Sequence, residues 1–447
     1  MKIKFKGITL ISTLAILVLG LPVIAAAADA PVIDTGDTAF MIICAALVMI
    51  MTPGLALFYG GMVRRKNVLG TIMQSFTAMA LVSVQWVLIG YTLGFGADIH
   101  HLIGGLDFLG MQGVTGNPFP AYAATFPHSV FVFFQLMFAI ITVALISGAF
   151  AERMRFPVFV VFVLLWTTLV YDPLAHWVWG VDGWLRNLGA LDFAGGTVVH
   201  ISSGVSGLVA CLVLRGRRQI GVEPMVPHNL PMTMLGAGLL WFGWFGFNAG
   251  SALGASGLAG AAFLVTNTCC AAGAISWAAA EWLHHGKPTA LGLASGMVAG
   301  LVAITPAAGF VSTGSAILMG IIVGPLCYFA VSKMKAKLGY DDSLDAFGIH
   351  GVGGIFGALA TGVLANTAVN PAGVNGLLFG NPYQLLVQLI AVVATIAFAS
   401  TLTFLILKVI SLFAPLRVSE EEEETGLDIS QHGEDAYYYG EMSSMQI

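Results

Sequence analysis

Two histidines, His200 and His350, lie inside long apolar segments of the 447-residue sequence. Imidazole accepts, donates and relays protons near neutral pH, so two of them in an apolar lining suit a small solute that exchanges a proton. Each follows an aspartate at the start of its segment, Asp192 or Asp345, and precedes glycines at the fourth and seventh positions after it. Such small residues share the helical face of the histidine and permit close packing. A membrane-buried ionisable residue is a functional candidate by default, although a lone histidine can be a satisfied packing residue.

The composition requires a membrane around most of the chain. Hydrophobic residues make up 57% of the sequence and charged residues 9%, too few charges to cover a soluble domain of this length. With about 20 apolar residues needed per span, we predict an all-α membrane protein with eleven transmembrane helices. The predicted spans are 37–61, 69–96, 129–150, 157–178, 193–214, 231–253, 256–283, 288–309, 312–332, 346–365 and 383–413.

Lysine and arginine residues orient these spans. They follow the odd-numbered spans, as Arg64, Arg65 and Lys66 follow the first, and outside the amino terminus only Arg186 falls on the other side. The positive-inside rule then puts the mature N terminus outside and the C terminus in the cytoplasm. A basic start, an apolar core and small residues predict a signal peptide over 1–30, cleaved near 28–30; an uncleaved first helix is the alternative.

The two histidine segments enter the membrane from opposite sides. At 1.5 Å per residue, His200 lies about 12 Å into the fifth span and His350 about 7 Å into the tenth. Similar segments of opposite direction indicate two inverted five-helix halves plus one extra helix, with the transport site near the midplane. Chance similarity, in a chain with 55 glycines, is the alternative.

Aromatic residues form a second pattern. The stretch 241–251 interleaves tryptophan and phenylalanine with glycine and ends in Ser251, while Phe138 lies in the third span and Trp179 at the outer end of the fourth. Aromatic residues near interfaces are usually anchoring belts. An aromatic cage beside a hydroxyl, however, attracts a small cation, with each cation–π contact worth about 0.5–2 kcal/mol.

Several other functions lack the residues that they need. The sequence has no ring of carboxylates, no potassium-filter motif and no nucleotide-binding motif. Its five cysteines lie in apolar segments without metal-ligand or disulfide spacing. Neither a nucleophile–base set nor a nucleic-acid-binding pattern is visible. We therefore expect no enzyme activity, no metal, no cofactor and no nucleic-acid partner.

From the first predicted span to the tail, the chain resembles bacterial ammonium transporters of the Amt/Mep/Rh family. The resemblance implies an eleven-helix transport domain over 31–415, a cytoplasmic regulatory tail over 416–447, and a homotrimer with a separate pore in each subunit. The matching segments are TPGLALFYGG (52–61), FQLMF (134–138), GALDFAGGTVVH (189–200), PHNLPM (227–232), WFGFNAGS (244–251), FGIHG (347–351) and GLDISQHGEDAY (426–437).

The resemblance also implies an outer recruitment site. In it, an ammonium cation would rest against the rings of Phe138 and Trp179 and donate to the hydroxyl of Ser251. Asp192 would stabilise this region from the start of the fifth span. For Asp192, a plain helix cap is a serious alternative, because aspartate is a preferred N-cap residue.

Below that site, the resemblance implies a gate in which Phe138 and Phe247 stack, and then a hydrogen-bonded pair of His200 and His350 with Trp244 packed nearby. An ammonium ion entering an apolar pore faces a large desolvation cost. It avoids this cost by giving up its proton and crossing as ammonia while the histidines accept or relay the proton. Potassium has no proton to lose. The expected function is therefore selective ammonium transport across the bacterial inner membrane.

The predicted tail begins with five consecutive acids, Glu420 to Glu424. Acidic runs are usually solvated and disordered. The resemblance implies instead a structured tail under the trimer, against which a PII-type signal protein docks.

Two alternatives use the same scaffold: an ammonium sensor that binds but conducts little, and a channel for neutral gas or small amines. Sensors often carry an extra signalling domain, and none is visible in the sequence. Trp179 and Ser251 favour a site that recruits a cation over a gas channel. The loop 98–128, with His100 and His101, has no assigned role.

Overall fold

The structure is a computed structural model that describes residues 32–437. The predicted signal peptide and the last ten residues of the tail lie outside this range. Eleven helical segments follow one another along the described chain. They are α1 Thr35–Met62, α2 Arg65–Phe95, α3 His128–Phe150, α4 Phe156–Leu188, α5 Gly196–Leu214, α6 Leu230–Gly250, α7 Gly257–His285, α8 Ala290–Ile304, α9 Thr313–Leu338, α10 Phe347–Leu364 and α11 Pro382–Ser411.

Each predicted span overlaps one of these segments, and the prediction of an all-α membrane protein is confirmed. Within residues 32–437, ten of the segments are long and apolar enough to cross a membrane. Helix α8 has 15 residues and is followed by turns to Phe310. The count of eleven spanning helices therefore stays a prediction.

Glycines allow α5 and α10 to cross at very short distance. A Cβ atom on Gly204 of α5 would lie 2.2 Å from the backbone nitrogen of Gly351 in α10. In the reverse direction, a Cβ atom on Gly354 would lie 3.1 Å from the Cβ of His200. The two histidine segments thus pack on each other through the glycines that lie four residues after each histidine.

The same two helices contact equivalent neighbours. A Cβ atom on Gly207 would lie 3.0 Å from Ala149 at the end of α3, and one on Gly357 would lie 2.3 Å from the carbonyl oxygen of Ala303 at the end of α8. Helices α3 and α8 are five apart, as are α5 and α10. This correspondence is the one that two five-helix halves require.

Both histidines lie in π-helical turns, which are rare and often occur at functional sites. His200 lies in Gly196–Ile201 and His350 in Phe347–Gly351. Helices α4 and α9, again five apart, contain the π turns Thr167–Tyr171 and Ala330–Met334. Helix α2 carries a further π turn at Trp86–Gly90.

The aspartate that corresponds to Asp192 is Asp342, so the pairing of Asp192 with Asp345 in the sequence comparison is wrong. The Asp342 carboxylate accepts hydrogen bonds from the backbone nitrogens of Ala346 (3.1 Å) and Phe347 (2.7 Å). Asp345 instead pairs with Lys335. Asp192 and Asp342 each precede their histidine by eight residues, which makes the two caps equivalent.

The loop 98–128 contains two small antiparallel pairs, β1 Asp98–Ile99 with β2 Ile103–Gly104 and β3 Pro118–Phe119 with β4 Ala123–Pro127. The ring of His101 lies 2.7 Å from the carbonyl oxygen of Asp182, which ties the loop to the end of α4.

The tail is folded as far as Tyr437. Its helix α12, Glu420–Thr425, begins with a capping box between Ser419 and Glu422. The Asp428 carboxylate accepts from the backbone nitrogen of Gly70 at 2.8 Å, which fixes the tail under α2. The described part of the tail is therefore ordered, although Glu420, Glu421 and Glu424 are exposed to solvent.

Candidate functional site

An open cavity of about 190 Å³ lies at the ends of α3 and α4 nearest the 98–128 loop, and we call it the outer cavity. Phe138, Trp179 and Ser251, the three residues of the expected recruitment site, all line it. The rings of Phe138 and Trp179 meet edge to face, with centroids 5.8 Å apart at 86°. The Ser251 hydroxyl donates to the carbonyl oxygen of Phe247 at 2.9 Å, so its oxygen keeps lone pairs that can accept from a cation.

Asp192 acts on this cavity through Trp179. The Asp192 carboxylate caps α5, accepting from the backbone nitrogens of Gly195 (2.7 Å), Gly196 (2.6 Å) and Thr197 (2.8 Å). Its backbone carbonyl accepts from the Trp179 indole nitrogen at 3.0 Å. The helix-cap role and the support of the outer site are therefore compatible.

Sequence reasoning missed two polar residues that line the same cavity, Gln135 and Arg186. The Gln135 side chain is buried, and its amide oxygen has no hydrogen-bond partner among residues 32–437. The Arg186 guanidinium donates to the carbonyl oxygen of Trp179 at 2.7 Å. A glutamine in the middle of an apolar span was the available signal for Gln135. An unpaired acceptor in an aromatic cavity suits a ligand with N–H donors.

Two stacked phenylalanines close the inner end of the cavity. The ring centroids of Phe138 and Phe247 are 4.2 Å apart with the planes at 20°, and both side chains are buried. Phe138 lines the outer cavity and Phe247 lines the next cavity inward. The stacked rings therefore separate two chambers of one path.

The inner chamber holds the two histidines. Their Nδ1 atoms lie 3.3 Å apart and their ring centroids 5.4 Å apart. The indole of Trp244 stacks on His200 with a centroid distance of 5.4 Å and donates to the Thr305 hydroxyl at 2.9 Å. The chamber volume is only about 10 Å³, so it has no room for a hydrated ion. Its other lining residues are Met51, Ile141, Leu145, Leu240, Phe247 and Val298.

The contact between the two Nδ1 atoms fixes the tautomers as opposites. In a neutral pair, one ring donates through Nδ1–H and therefore has a bare Nε2, while the other accepts at Nδ1 and carries its proton on Nε2. The Nε2 atom of His200 has no hydrogen-bond partner within the described chain. The pair thus offers a proton acceptor at one end and a proton donor at the other.

Comparisons with known proteins identify the family. The model of the Ammonium Transporter Family matches residues 39–437. An ammonium transporter of Bacillus subtilis is 57% identical, over 90% of this chain and 98% of that protein. The crystal structure of Saccharomyces cerevisiae Mep2 superposes with a TM-score of 0.82 at 38% identity, covering 87% of this chain and 90% of Mep2. A solved sensor Amt protein gives a TM-score of 0.82 at 29% identity, with 89% and 98% coverage.

Proposed function

The chain belongs to the ammonium transporter family, and from this premise we propose that it carries ammonium across the bacterial inner membrane. The cation is recruited in the outer cavity, gives up its proton and passes as ammonia through the histidine chamber. The family is one of transporters and not of enzymes. The observation that carries the proposal is the succession of an aromatic cavity, a phenylalanine gate and a histidine pair along one path.

Recruitment follows from the chemistry of the outer cavity. The faces of Phe138 and Trp179 attract a cation, and the oxygens of Ser251 and Gln135 accept its N–H groups. Ammonium fits this set because it combines positive charge with four donors. A metal cation of the same charge would need more oxygens to replace its hydration shell.

The gate and the inner chamber then exclude the charged form. Burying an unpaired ion there costs more than the recruitment contacts return. Ammonium escapes the cost by deprotonation, and neutral ammonia can enter the small chamber. The bare Nε2 of the histidine pair accepts a proton while the opposite Nε2 releases one, so proton and ammonia cross separately.

The decisive test compares purified wild type with the His200→Ala/His350→Ala double variant in liposomes. We expect ammonium to evoke a current in wild type that potassium does not evoke, and the double variant to lose this selective current. A His100→Ala variant is the control, because the exposed His100 lines neither the outer cavity nor the histidine chamber. A double variant that still conducts ammonium and excludes potassium would contradict the relay.

The same measurement separates the alternatives. The likeness to a sensor Amt protein supports a second candidate, a sensor that binds ammonium in the outer cavity and conducts little. Tight binding with negligible flux would favour this sensor. Ammonia flux without current would favour a neutral gas or small-amine channel.

We further propose a homotrimer with a mature N terminus outside and the tail in the cytoplasm. The tail contacts the start of α2 through Asn67 and the α5–α6 loop through Arg218. The positive-inside rule predicts that this side of the bundle faces the cytoplasm. Native mass spectrometry tests the homotrimer, for which we expect a mass of three subunits. Fluorescence of a C-terminal green fluorescent protein fusion tests the cytoplasmic position of the tail. N-terminal sequencing tests the signal peptide, and a mature end at Met1 would contradict it.

A PII-type signal protein is the proposed partner of this face. The folded tail supports the idea, because a fixed surface suits a docking partner better than a solvated run of acids does. Pull-down of a PII protein from nitrogen-shocked cells should be lost on truncation at Thr425. Binding that survives the truncation would exclude the tail as the docking site.

A further inference from the structure

A groove of about 440 Å³ runs between the cytoplasmic ends of α5 and α11. Its walls are apolar, and its cytoplasmic end carries two cations. The lining residues are Val209, Leu212, Val213, Arg215, Phe404 and Lys408. Leu212 and Phe404 are 58% and 45% exposed on helices that span the membrane. The groove therefore faces lipid in this subunit.

Among residues 32–437, the two cations of the groove have no acidic partner. Arg215 and Lys408 are exposed, and neither forms an ion pair with a carboxylate within residues 32–437. The ammonium of Lys408 lies 5.4 Å from the ring centroid of Phe404, at the wall of the groove. Neighbouring arginines differ, since Arg217 pairs with Asp341 and Arg417 pairs with Glu423.

We propose that this groove binds an anionic phospholipid of the cytoplasmic leaflet, with its phosphate between Arg215 and Lys408 and an acyl chain along the apolar wall. Guanidinium and ammonium groups are the usual protein partners of phosphate. Basic pockets between membrane helices at the cytoplasmic side suit anionic head groups. The inference goes beyond ammonium transport and does not depend on the proton relay.

A second apolar groove lacks the positive charge that would select an anionic lipid. It lies between α7 and α9, has a volume of about 780 Å³, and its lining contains no lysine or arginine. Acyl chains of any lipid suit such a surface, so no preference for an anionic head group is expected there. Of the two grooves, only the α5–α11 groove has both an apolar wall and two cations without an acidic partner among the described residues.

Lipid binding at Arg215 would also stabilise the position of the tail. The carbonyl oxygens of Leu214 and Gly216, on either side of Arg215, accept from the Arg417 guanidinium at 3.3 and 2.7 Å. Arg417 in turn holds Glu423 of α12. A phosphate that orders Arg215 therefore orders the loop on which the tail rests.

The test is native mass spectrometry of the purified full chain with phosphatidylglycerol or phosphatidylcholine of equal chain length. We expect about tenfold tighter binding of phosphatidylglycerol. The Arg215→Gln/Lys408→Gln variant should lose this preference. The Lys333→Gln/Lys337→Gln variant, which removes the same charge from exposed positions of α9, should keep it, and so should Arg215→Lys/Lys408→Arg.

Three results would overturn the proposal. The first is an undiminished phosphatidylglycerol preference in the Arg215→Gln/Lys408→Gln variant. The second is an equal loss in the Lys333→Gln/Lys337→Gln control, which would indicate general surface attraction. The third is competition by inorganic phosphate at the concentration of the lipid, which would indicate a site for a soluble anion. A change of subunit number in the Arg215→Gln/Lys408→Gln variant would assign the groove to a second copy of the chain, and it too would overturn the lipid.

Discussion

At the scale of single residues, the path depends on side chains that are held by atoms outside it. Trp179 is oriented by the carbonyl oxygen of Asp192, and Trp244 by the hydroxyl of Thr305. Both indole rings are thereby fixed without using any acceptor of the two chambers. The outer cavity and the inner chamber keep their own oxygens and nitrogens for the solute.

Gln135 is the residue whose removal should affect recruitment alone. We expect Gln135→Met to raise the ammonium concentration for half-maximal current several-fold, because the outer cavity loses an unpaired acceptor worth about 1 kcal/mol. The maximal current should change less, since the histidine chamber is untouched. Current recorded over a range of ammonium concentrations measures both quantities.

Gln112→Met is the matched control, because Gln112 is exposed in the outer loop. An unchanged half-maximal concentration in Gln135→Met would show that the amide oxygen does not contact the cation.

The sequence contains signals for the candidate site residues but not for the side chains that support them. Phe138, Trp179 and Ser251 come from three distant segments, and only the family resemblance placed them together. Thr305 had no signal at all, because a threonine in an apolar span usually bonds to its own helix. Its contact with Trp244 depends on the packing of α6 against α8, which no local pattern encodes.

At the scale of helices, the crossing of α5 and α10 positions both imidazoles. Gly204→Ala should destabilise the fold by about 1–3 kcal/mol, because its Cβ would meet the backbone nitrogen of Gly351 at 2.2 Å. The strain falls beside His350, so the selective current should fall as well. Thermal unfolding in detergent and current in liposomes measure the two effects.

Gly238→Ala provides the control for this substitution. A Cβ on Gly238 of α6 would meet no atom within 4 Å, so alanine there should be neutral or stabilise by about 0.5–1 kcal/mol. Equal behaviour of the two variants would mean that the crossing of α5 and α10 tolerates a wider separation.

The tail segment should respond to pH through His432. Burial lowers the pKa of His432, and the nearby carboxylates of Asp428 and Glu434 oppose this only in part. Because the folded-state pKa lies below the ordinary value of about 6.5, the stabilisation is present above that value and is lost as the pH falls. We expect hydrogen exchange of residues 426–432 to quicken between pH 7.5 and 5.5, relative to the intrinsic rate.

The His432→Gln variant should remove most of this dependence. Burial raises the pKa of Asp428, so protonation of this carboxyl stabilises the folded tail as the pH falls, which is opposite in sign to the effect of His432. A pH dependence that persists in the variant would assign the effect to another group.

Helix positions and helix ends were not equally predictable. Hydrophobicity located every segment from α1 to α11, because the bilayer demands apolar length. The equivalence of Asp192 and Asp342 was missed because Asp345 stands closer to its apolar run. Which aspartate caps a helix depends on where the chain turns into that helix. The π turns around both histidines depend on tertiary packing.

At the scale of the whole molecule, buried charges join the loops at the end of the bundle where the tail lies. Glu152 lies between α3 and α4 and accepts from Arg64 at 2.9 Å and from Arg217 at 3.2 Å. Arg217 also pairs with Asp341 before α10. These contacts connect loops that are distant in sequence, and the tail packs against the resulting charge network.

Glu152→Gln should weaken this charge network and destabilise the fold. The amide has no charge to offer Arg64 and Arg217, so we expect a loss on the order of 2 kcal/mol in stability. The midpoint of thermal unfolding in detergent measures it. Glu223→Gln, on an exposed part of the α5–α6 loop, should leave the midpoint unchanged; equal midpoints for both variants would show that the network adds nothing to stability.

The direct contact between the two Nδ1 atoms has a consequence for the order of events. In the proposed relay, one proton lies between the rings, so each proton transfer would leave both tautomers inverted. The ring that had the bare Nε2 now carries a proton there, and its partner has become the acceptor. The pair therefore cannot accept a second proton from the same side until both rings have returned to their original tautomers.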